Sequence, residues 1–250
     1  MLPPNRYLRF DFIEVGPLTI LRCSEKIFVE KLKAIVEGGE GRVITYSHLH
    51  TLALALKHTR IALSIRACDL CYCDGIGVSI ISLLVNGVWI PKVTANSFIH
   101  EFARTLGVLS KKMALIGGAG DTLQAVSNYF ATEGATIVCA HHGYLNDASR
   151  ETLRTSLIDT KPDVVIIGME QGSQEELALL LRKDLPSATF LCVGALFEFL
   201  SGRIWLCPPL VRQAGLEWVV RLVRDPGRLW RRYLLEGPAL LFRATILRRL

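Results

Sequence analysis

Asp74 stands in Cys73-Asp-Gly-Ile-Gly77, where an apolar run ends and two glycines let the backbone turn closely about a single carboxylate. Held in a crevice, such a group can act as a general base, taking the proton of an attacking hydroxyl while a leaving group departs. It can equally cap the helix that follows, and spacing alone leaves both roles open. A second feature is Ile116-Gly-Gly-Ala-Gly-Asp121, glycine-rich and set between a strand-like and a helix-like run. The amides of Gly117 and Gly118 could meet a phosphate at a helix N-terminus, or the turn could only pack strand against helix.

A departing anion needs compensation by a metal, by cations or by helix N-termini. No Asp-x-Asp dyad occurs anywhere in the chain. Cys68, Cys71 and Cys73 form a CxxCxC, but no second Cys or His pair follows at zinc spacing, and the segment reads as a buried strand. Seven cysteines, mostly in apolar runs, imply no disulfide framework. No metal or other cofactor is expected, which leaves arginines and backbone amides for the compensating role.

The cations are unevenly placed. From Arg203 onward there are ten arginines, no lysine and three acids (Glu217, Asp225, Glu236), a balance of +7 against +6 for the whole chain. Trp205, Trp218, Trp230 and Tyr233 lie among Arg221, Arg224, Arg228, Arg231 and Arg232, joining rings suited to an interface with cations suited to anionic lipids. A nucleic-acid partner is disfavoured because the tail is strongly apolar between its charges and shows no stacking module or recognition helix.

The elements that must position these residues follow from periodicity. Short apolar runs predict strands near 42–45, 69–73, 113–116, 135–140, 163–167 and 189–193, alternating with helical patterns such as 49–57. That order implies an α/β fold: a doubly wound, mostly parallel, Rossmann-like sheet over residues 1–202, with ligands at the carboxyl ends of its strands. Residues 203–250 read as a helical basic appendage, with Asp225-Pro226 as a helix start, two short helices about it and a third from Pro238. No run of about eighteen apolar residues could cross a bilayer. The start, MLPPNRYLRFDF, lacks a signal peptide's apolar core and cleavage site, so the expected location is cytoplasmic.

From about Thr45 to Tyr233 the chain resembles the WecG/TagA/CpsF glycosyltransferases. The most specific stretch is Gly215-Leu-Glu-Trp-Val-Val-Arg-Leu-Val-Arg-Asp-Pro-Gly-Arg-Leu-Trp-Arg-Arg-Tyr233, which follows the family's GLEWxxRLxxEPxRxxxRY ending. Asp74-Gly75, Gly143-Tyr144 and Phe197-Glu-Phe-Leu-Ser-Gly202 match its DG, HGY and FDFxxG. The resemblance implies an inverting, metal-independent transferase moving a sugar from a UDP-sugar onto a polyprenyl-diphosphate-linked saccharide, in cell-surface polysaccharide synthesis at the inner face of the plasma membrane. It makes Asp74 the base with Thr45 beside it. It assigns Ser47, Gly75, Lys92, Asn96, Gly117, Gly118, Gly168, Gln174 and Glu175 to the donor site, and Arg221, Arg228, Arg231 and Trp230 to the diphosphate and an anionic membrane. A homo-oligomer is compatible with it.

Three motifs depart from the family pattern. Its TxN is Thr45-Tyr-Ser47, its RVxGxD is Lys92-Val-Thr-Ala-Asn96, and its GxGxPKQE is Gly168-Met-Glu-Gln-Gly-Ser-Gln-Glu175. Lysine keeps the charge of arginine but not its bidentate fork. These changes motivate a competing reading, a non-catalytic paralogue that binds a nucleotide sugar or lipid head, against which the retained Asp74 argues. A nicotinamide-dependent sugar oxidoreductase would need the dinucleotide fingerprint and a Tyr-x-x-x-Lys pair, both absent.

Overall fold

The computed structural model describes residues 10–118, 120–208, 211 and 217–247. Its centre is an eight-stranded sheet in the order β1-β2-β4-β3-β8-β7-β5-β6. The strands are β1 (Phe12–Val15), β2 (Leu18–Leu21), β3 (Val43–Ser47), β4 (Leu70–Cys73), β5 (Lys112–Gly117), β6 (Thr136–His141), β7 (Val164–Gly168) and β8 (Thr189–Cys192). All neighbours pair in parallel except β1 and β2, a hairpin turning at Gly16 and Pro17. This hairpin, absent from the sequence expectation, widens the sheet where β2 joins β4 through the Leu21–Tyr72 register. The inner strands β3, β4 and β8 are buried along their whole length, as continuous apolar runs in a sheet covered on both faces should be.

One face packs against α1 (Glu25–Gly38), α5 (Ala95–Val108), α6 (Asp121–Thr132) and α9 (Leu196–Leu200). The other packs against α2 (Leu49–Lys57), α3 (Thr59–Arg66), α4 (Ile76–Asn86), α7 (Asp147–Thr160) and α8 (Ser173–Leu181). Phe28, Phe98, Phe102 and Phe130 fill the first layer with almost no exposed surface, each burial contributing roughly 1.5–3 kcal/mol. Two acids that might have drawn a catalytic reading are structural. Asp69 accepts from the Val43 amide (2.7 Å) and Arg182 (2.6 Å), and Asp163 accepts from the Lys112 amide (2.8 Å) and Lys111 (3.0 Å). Both sit one residue before a strand, at the sheet edge opposite its carboxyl ends, where they satisfy the first donor of the neighbouring strand.

The appendage contains α10 (Glu217–Arg224), α11 (Pro226–Trp230), a π-helical turn over Arg231–Glu236 and α12 (Gly237–Leu247). The π turn has a local cause: Pro238 lacks an N–H and its ring crowds the carbonyl four residues earlier, so the regular ladder cannot run through it. Leu240 and Ala244 of α12 are buried in one cluster with Val78 and Ile81 of α4 and Leu52 of α2. Glu236 adds ion pairs to His50 (3.1 Å) and Lys57 (2.9 Å). Residues beyond the 202/203 division therefore share a core with the α/β body.

Glycine is obligatory where strand ends converge. A Cβ on Gly117, at φ +144°, would lie 2.3 Å from the Gly168 carbonyl oxygen. Gly117→Ala is expected to lower stability by about 3 kcal/mol or more, the range of severe core disruptions. Gly39→Ala, at φ +64° with nothing within 4 Å, is expected to cost about 1–2 kcal/mol, a conformational penalty alone. Denaturant melts of the two variants measure the difference.

Candidate functional site

Asp74 directly follows β4 at the carboxyl edge of the sheet, its amide bonded to the Ser47 carbonyl (2.8 Å). The N-cap of α4 is Gly75, at φ 96° and ψ 149°, and no side chain caps this helix. The capping role left open by the sequence is thus not filled by Asp74. The following loop returns to it: the Val93 amide donates to the Cys73 carbonyl (2.8 Å), which sets Lys92 and Thr94 beside the carboxylate. From the appendage, α10 brings Glu217 and Arg221 to the same place, and Lys92 Nζ lies 3.0 Å from Glu217 Oε1.

Burial pushes the Asp74 pKa up to about 6. Lys92 and then Arg221 oppose that shift, Glu217 reinforces it, and the nearby Thr94 hydroxyl favours the charged form. That hydroxyl makes no full hydrogen bond, and neither does the buried hydroxyl of Ser47. Among helices that begin at this edge, α1, α2 and α7 are capped by Ser24, His48 and Asn146, whereas α4, α5 and α6 have no side-chain cap. The uncapped N-terminal amides of α4, with Lys92 and Arg221, make a setting that favours an anion next to a carboxylate of raised proton affinity, whereas at the start of α5 the Thr94 amide already donates to Glu25 (3.2 Å).

The other expected site residues divide between this place and a buried brace. Gln174 and Glu175 have no exposed surface. The Glu175 carboxylate accepts from Thr45 Oγ1 (2.5 Å), the Gly172 amide (2.6 Å) and Gln174 Nε2 (2.8 Å), while Gln174 Oε1 accepts from the Gly194 amide (3.0 Å). Thr45 therefore faces α8 and not Asp74, because strand alternation turns it to the sheet face opposite Tyr72. Gln174, with both ends of its amide engaged within the protein, joins β8 to α8. The brace continues through Gln171, whose Nε2 donates to the Tyr46 carbonyl (2.8 Å) and whose Oε1 accepts from Thr51 (2.5 Å).

Gly117 and Gly168 are opposed residues of β5 and β7, and a Cβ on Gly168 would meet Phe197 at 2.9 Å. Packing accounts for both glycines. Gly118, at φ +58°, leads into the uncapped start of α6, and Asn96 stands half-buried in the first turn of α5. In the appendage, the Arg221 guanidinium lies 4.8 Å from the Phe199 ring, Arg224 4.2 Å from Trp205 and Arg231 5.4 Å from Trp230. The Arg228 side chain and Gly215-Leu216 of the tail motif lie outside the described residues. Glu217 and Thr94 are site neighbours that the sequence reading did not single out. Glu217 sat inside the quoted tail motif but was counted there only as an acid.

Among the described residues no three His, Cys, Asp or Glu side chains converge as a metal-binding group, and Cys71 and Cys73 are buried in the core. No described helix is long and apolar enough to cross a membrane.

A carboxyl whose pKa is higher folded than unfolded stabilises the fold below its unfolded value and loses that contribution as pH rises through its folded value. With a folded value of about 6, Asp74 penalises folding at neutral pH by about 2–3 kcal/mol, at 1.36 kcal/mol per unit. Asp74→Asn is expected to unfold at a higher temperature than the wild type at pH 7.5, with the gap closing toward pH 4. Thermal melts across that range check this.

The match to the model of the Glycosyl transferase WecG/TagA/CpsF family extends over residues 13–250. The chain is 27% identical over 163 residues to an N-acetylglucosaminyldiphosphoundecaprenol N-acetyl-beta-D-mannosaminyltransferase of Bacillus subtilis (strain 168), covering 64% of this chain and 62% of the relative. It is 26% identical over 159 residues to the protein of the same description from Staphylococcus aureus (strain MW2), covering 63% and 62%. The alignments thus span less than two thirds of these relatives' length. With a family match running through both the α/β body and the appendage that meets it at Asp74, the chain belongs to the WecG/TagA/CpsF glycosyltransferase family.

Proposed function

We propose that this chain is an inverting glycosyltransferase that moves an N-acetylhexosamine from a UDP-sugar onto a polyprenyl-diphosphate-linked saccharide at a membrane surface. The reading is carried by the Asp74 carboxylate, raised to about 6 and faced by Lys92 and Arg221 beside two uncapped helix starts. The sugar classes come from the names of the two relatives, which act on a diphosphoundecaprenol-linked N-acetylglucosamine and transfer N-acetylmannosamine.

In this mechanism Asp74 accepts the proton of the acceptor hydroxyl as its oxygen attacks the anomeric carbon. The bond from that carbon to the diphosphate oxygen breaks on the opposite face, and its electron pair leaves with UDP, inverting the centre. Growing charge on the diphosphate is met by Lys92, Arg221 and the uncapped amides of α4, so the step is assigned no metal. Lys92 carries three donors and can serve Glu217 and an incoming phosphate together. Thr45, Gln174 and Glu175 act by fixing the strand ends.

The membrane side of the proposal rests on the appendage. Val223, Trp230, Leu234, Leu235 and Phe242 are exposed apolar residues interleaved with Arg224, Arg231 and Arg243. Rings and aliphatic chains enter an interface while each nearby arginine contributes about 1 kcal/mol against an anionic leaflet. A cytoplasmic, peripheral location follows from this reading.

Incubation with a panel of UDP-sugars and a short-chain polyprenyl-diphosphate N-acetylglucosamine should release UDP, unchanged by EDTA. Asp74→Asn should lower the rate about 10²–10⁴-fold with UDP binding retained. UDP binding without release from any donor would favour the non-catalytic reading. Trp230→Ala should weaken sedimentation with anionic liposomes while sparing turnover of a soluble acceptor analogue.

A further inference from the structure

Helix α10 has an unusual seat. None of its side chains is fully buried: Val219, Val220 and Leu222 are half-buried, and Val223 on its outer side is 75% exposed. Charged groups add specific contacts: Glu217 to Lys92 at 3.0 Å and Arg221 over the Phe199 ring on the body, and Arg224 over Trp205 within the appendage itself. The Lys92–Glu217 pair joins positions 125 residues apart, and its side chains are only 30% and 23% exposed. An ion pair so withdrawn from solvent is screened less than a surface pair, and losing one partner leaves the other charge poorly solvated.

Glu217 and Arg221 are one helical turn apart, so fixing the first fixes where the second points. We propose that Glu217 is a positioning residue: through Lys92 it latches α10 onto the body and thereby delivers Arg221 to the leaving diphosphate at Asp74. The latch joins opposite charges and adds no net charge of its own, leaving Arg221 as the cation that the appendage contributes near Asp74. This rests on the transferase reading above, which supplies the leaving diphosphate.

Four consequences separate a latch from a passive surface pair. Glu217→Gln keeps size and polarity while removing the charge, and is expected to lower kcat about tenfold with little change in KM for the UDP-sugar, the pattern of a contact made in the transition state. Its effect should vanish in the background of Arg221→Ala, because residues that act through one another are not additive. Glu217→Asp, which restores the charge, should recover part of the rate. Lys92→Met, a second way of opening the pair, should match Glu217→Gln in a readout independent of turnover: faster amide hydrogen exchange across Glu217–Arg224, measured by mass spectrometry, with exchange in β3 and β8 unchanged.

Wild-type kcat and exchange in Glu217→Gln would overturn the latch, as would a loss that adds in full to that of Arg221→Ala. If the wild type releases UDP from no donor, the transferase reading fails by itself. The exchange measurement then still decides whether the pair seats α10.

Discussion

Glu175 is a carboxylate with no solvent-exposed surface, and the carboxyl edge of the sheet is organised around it. Burying a lone carboxylate is costly unless donors replace its water. Here the Thr45 hydroxyl, the Gly172 amide and the Gln174 side chain replace it, and each comes from a different part of the edge: β3, the turn before α8, and α8 itself. Gln174 extends the brace to Gly194 after β8, and Gln171 extends it to Tyr46 and Thr51. Strand ends that would otherwise be held only by their last ladder bonds are thereby fixed relative to one another. The Asp74 amide hangs from Ser47, two residues beyond Thr45, so the placement of the Asp74 carboxylate depends on that brace.

Around Asp74 opposing charges are nearly balanced. Desolvation raises the proton affinity of the carboxyl. Lys92 and Arg221 pull its pKa back to about 6, high enough to be a competent base and low enough to stay ionised near neutrality. One cation comes from the body and one from the appendage, so the two parts of the chain share the tuning. The site combines a half-buried carboxylate with two buried hydroxyls, Ser47 and Thr94, that have no full hydrogen bond.

The appendage is fastened in two physically distinct ways. Its last helix, α12, buries Leu240 and Ala244 against α2 and α4, a contact insensitive to salt or ligand charge. Its first helix, α10, is held by charge and by guanidinium stacking on Phe199 and Trp205. One end is thus anchored by apolar burial, and the end beside Asp74 by charged side chains.

The sequence by itself determined the parallel α/β sheet and the six strands that alternate with helices, and it singled out Asp74 as a candidate at a strand end. These are local properties: continuous apolar runs mark doubly covered strands, and a carboxylate between such a run and two glycines has few ordinary uses. It did not disclose the β1–β2 hairpin, whose four-residue strands are too short to show a period. It could not decide between the two roles of Asp74 or of the glycine turn. The backbone removed one role of Asp74, since Gly75 caps α4, and showed Gly117 packed against Gly168. The resemblance put Thr45 and Gln174 in the reaction site, whereas pleat alternation and the buried Glu175 draw them into the brace. The partnership of Lys92 with Glu217 spans 125 positions, and no periodicity or spacing rule reaches that far. Only the tertiary structure could make it, because an ion pair between distant segments exists solely where folding of both has already brought them together.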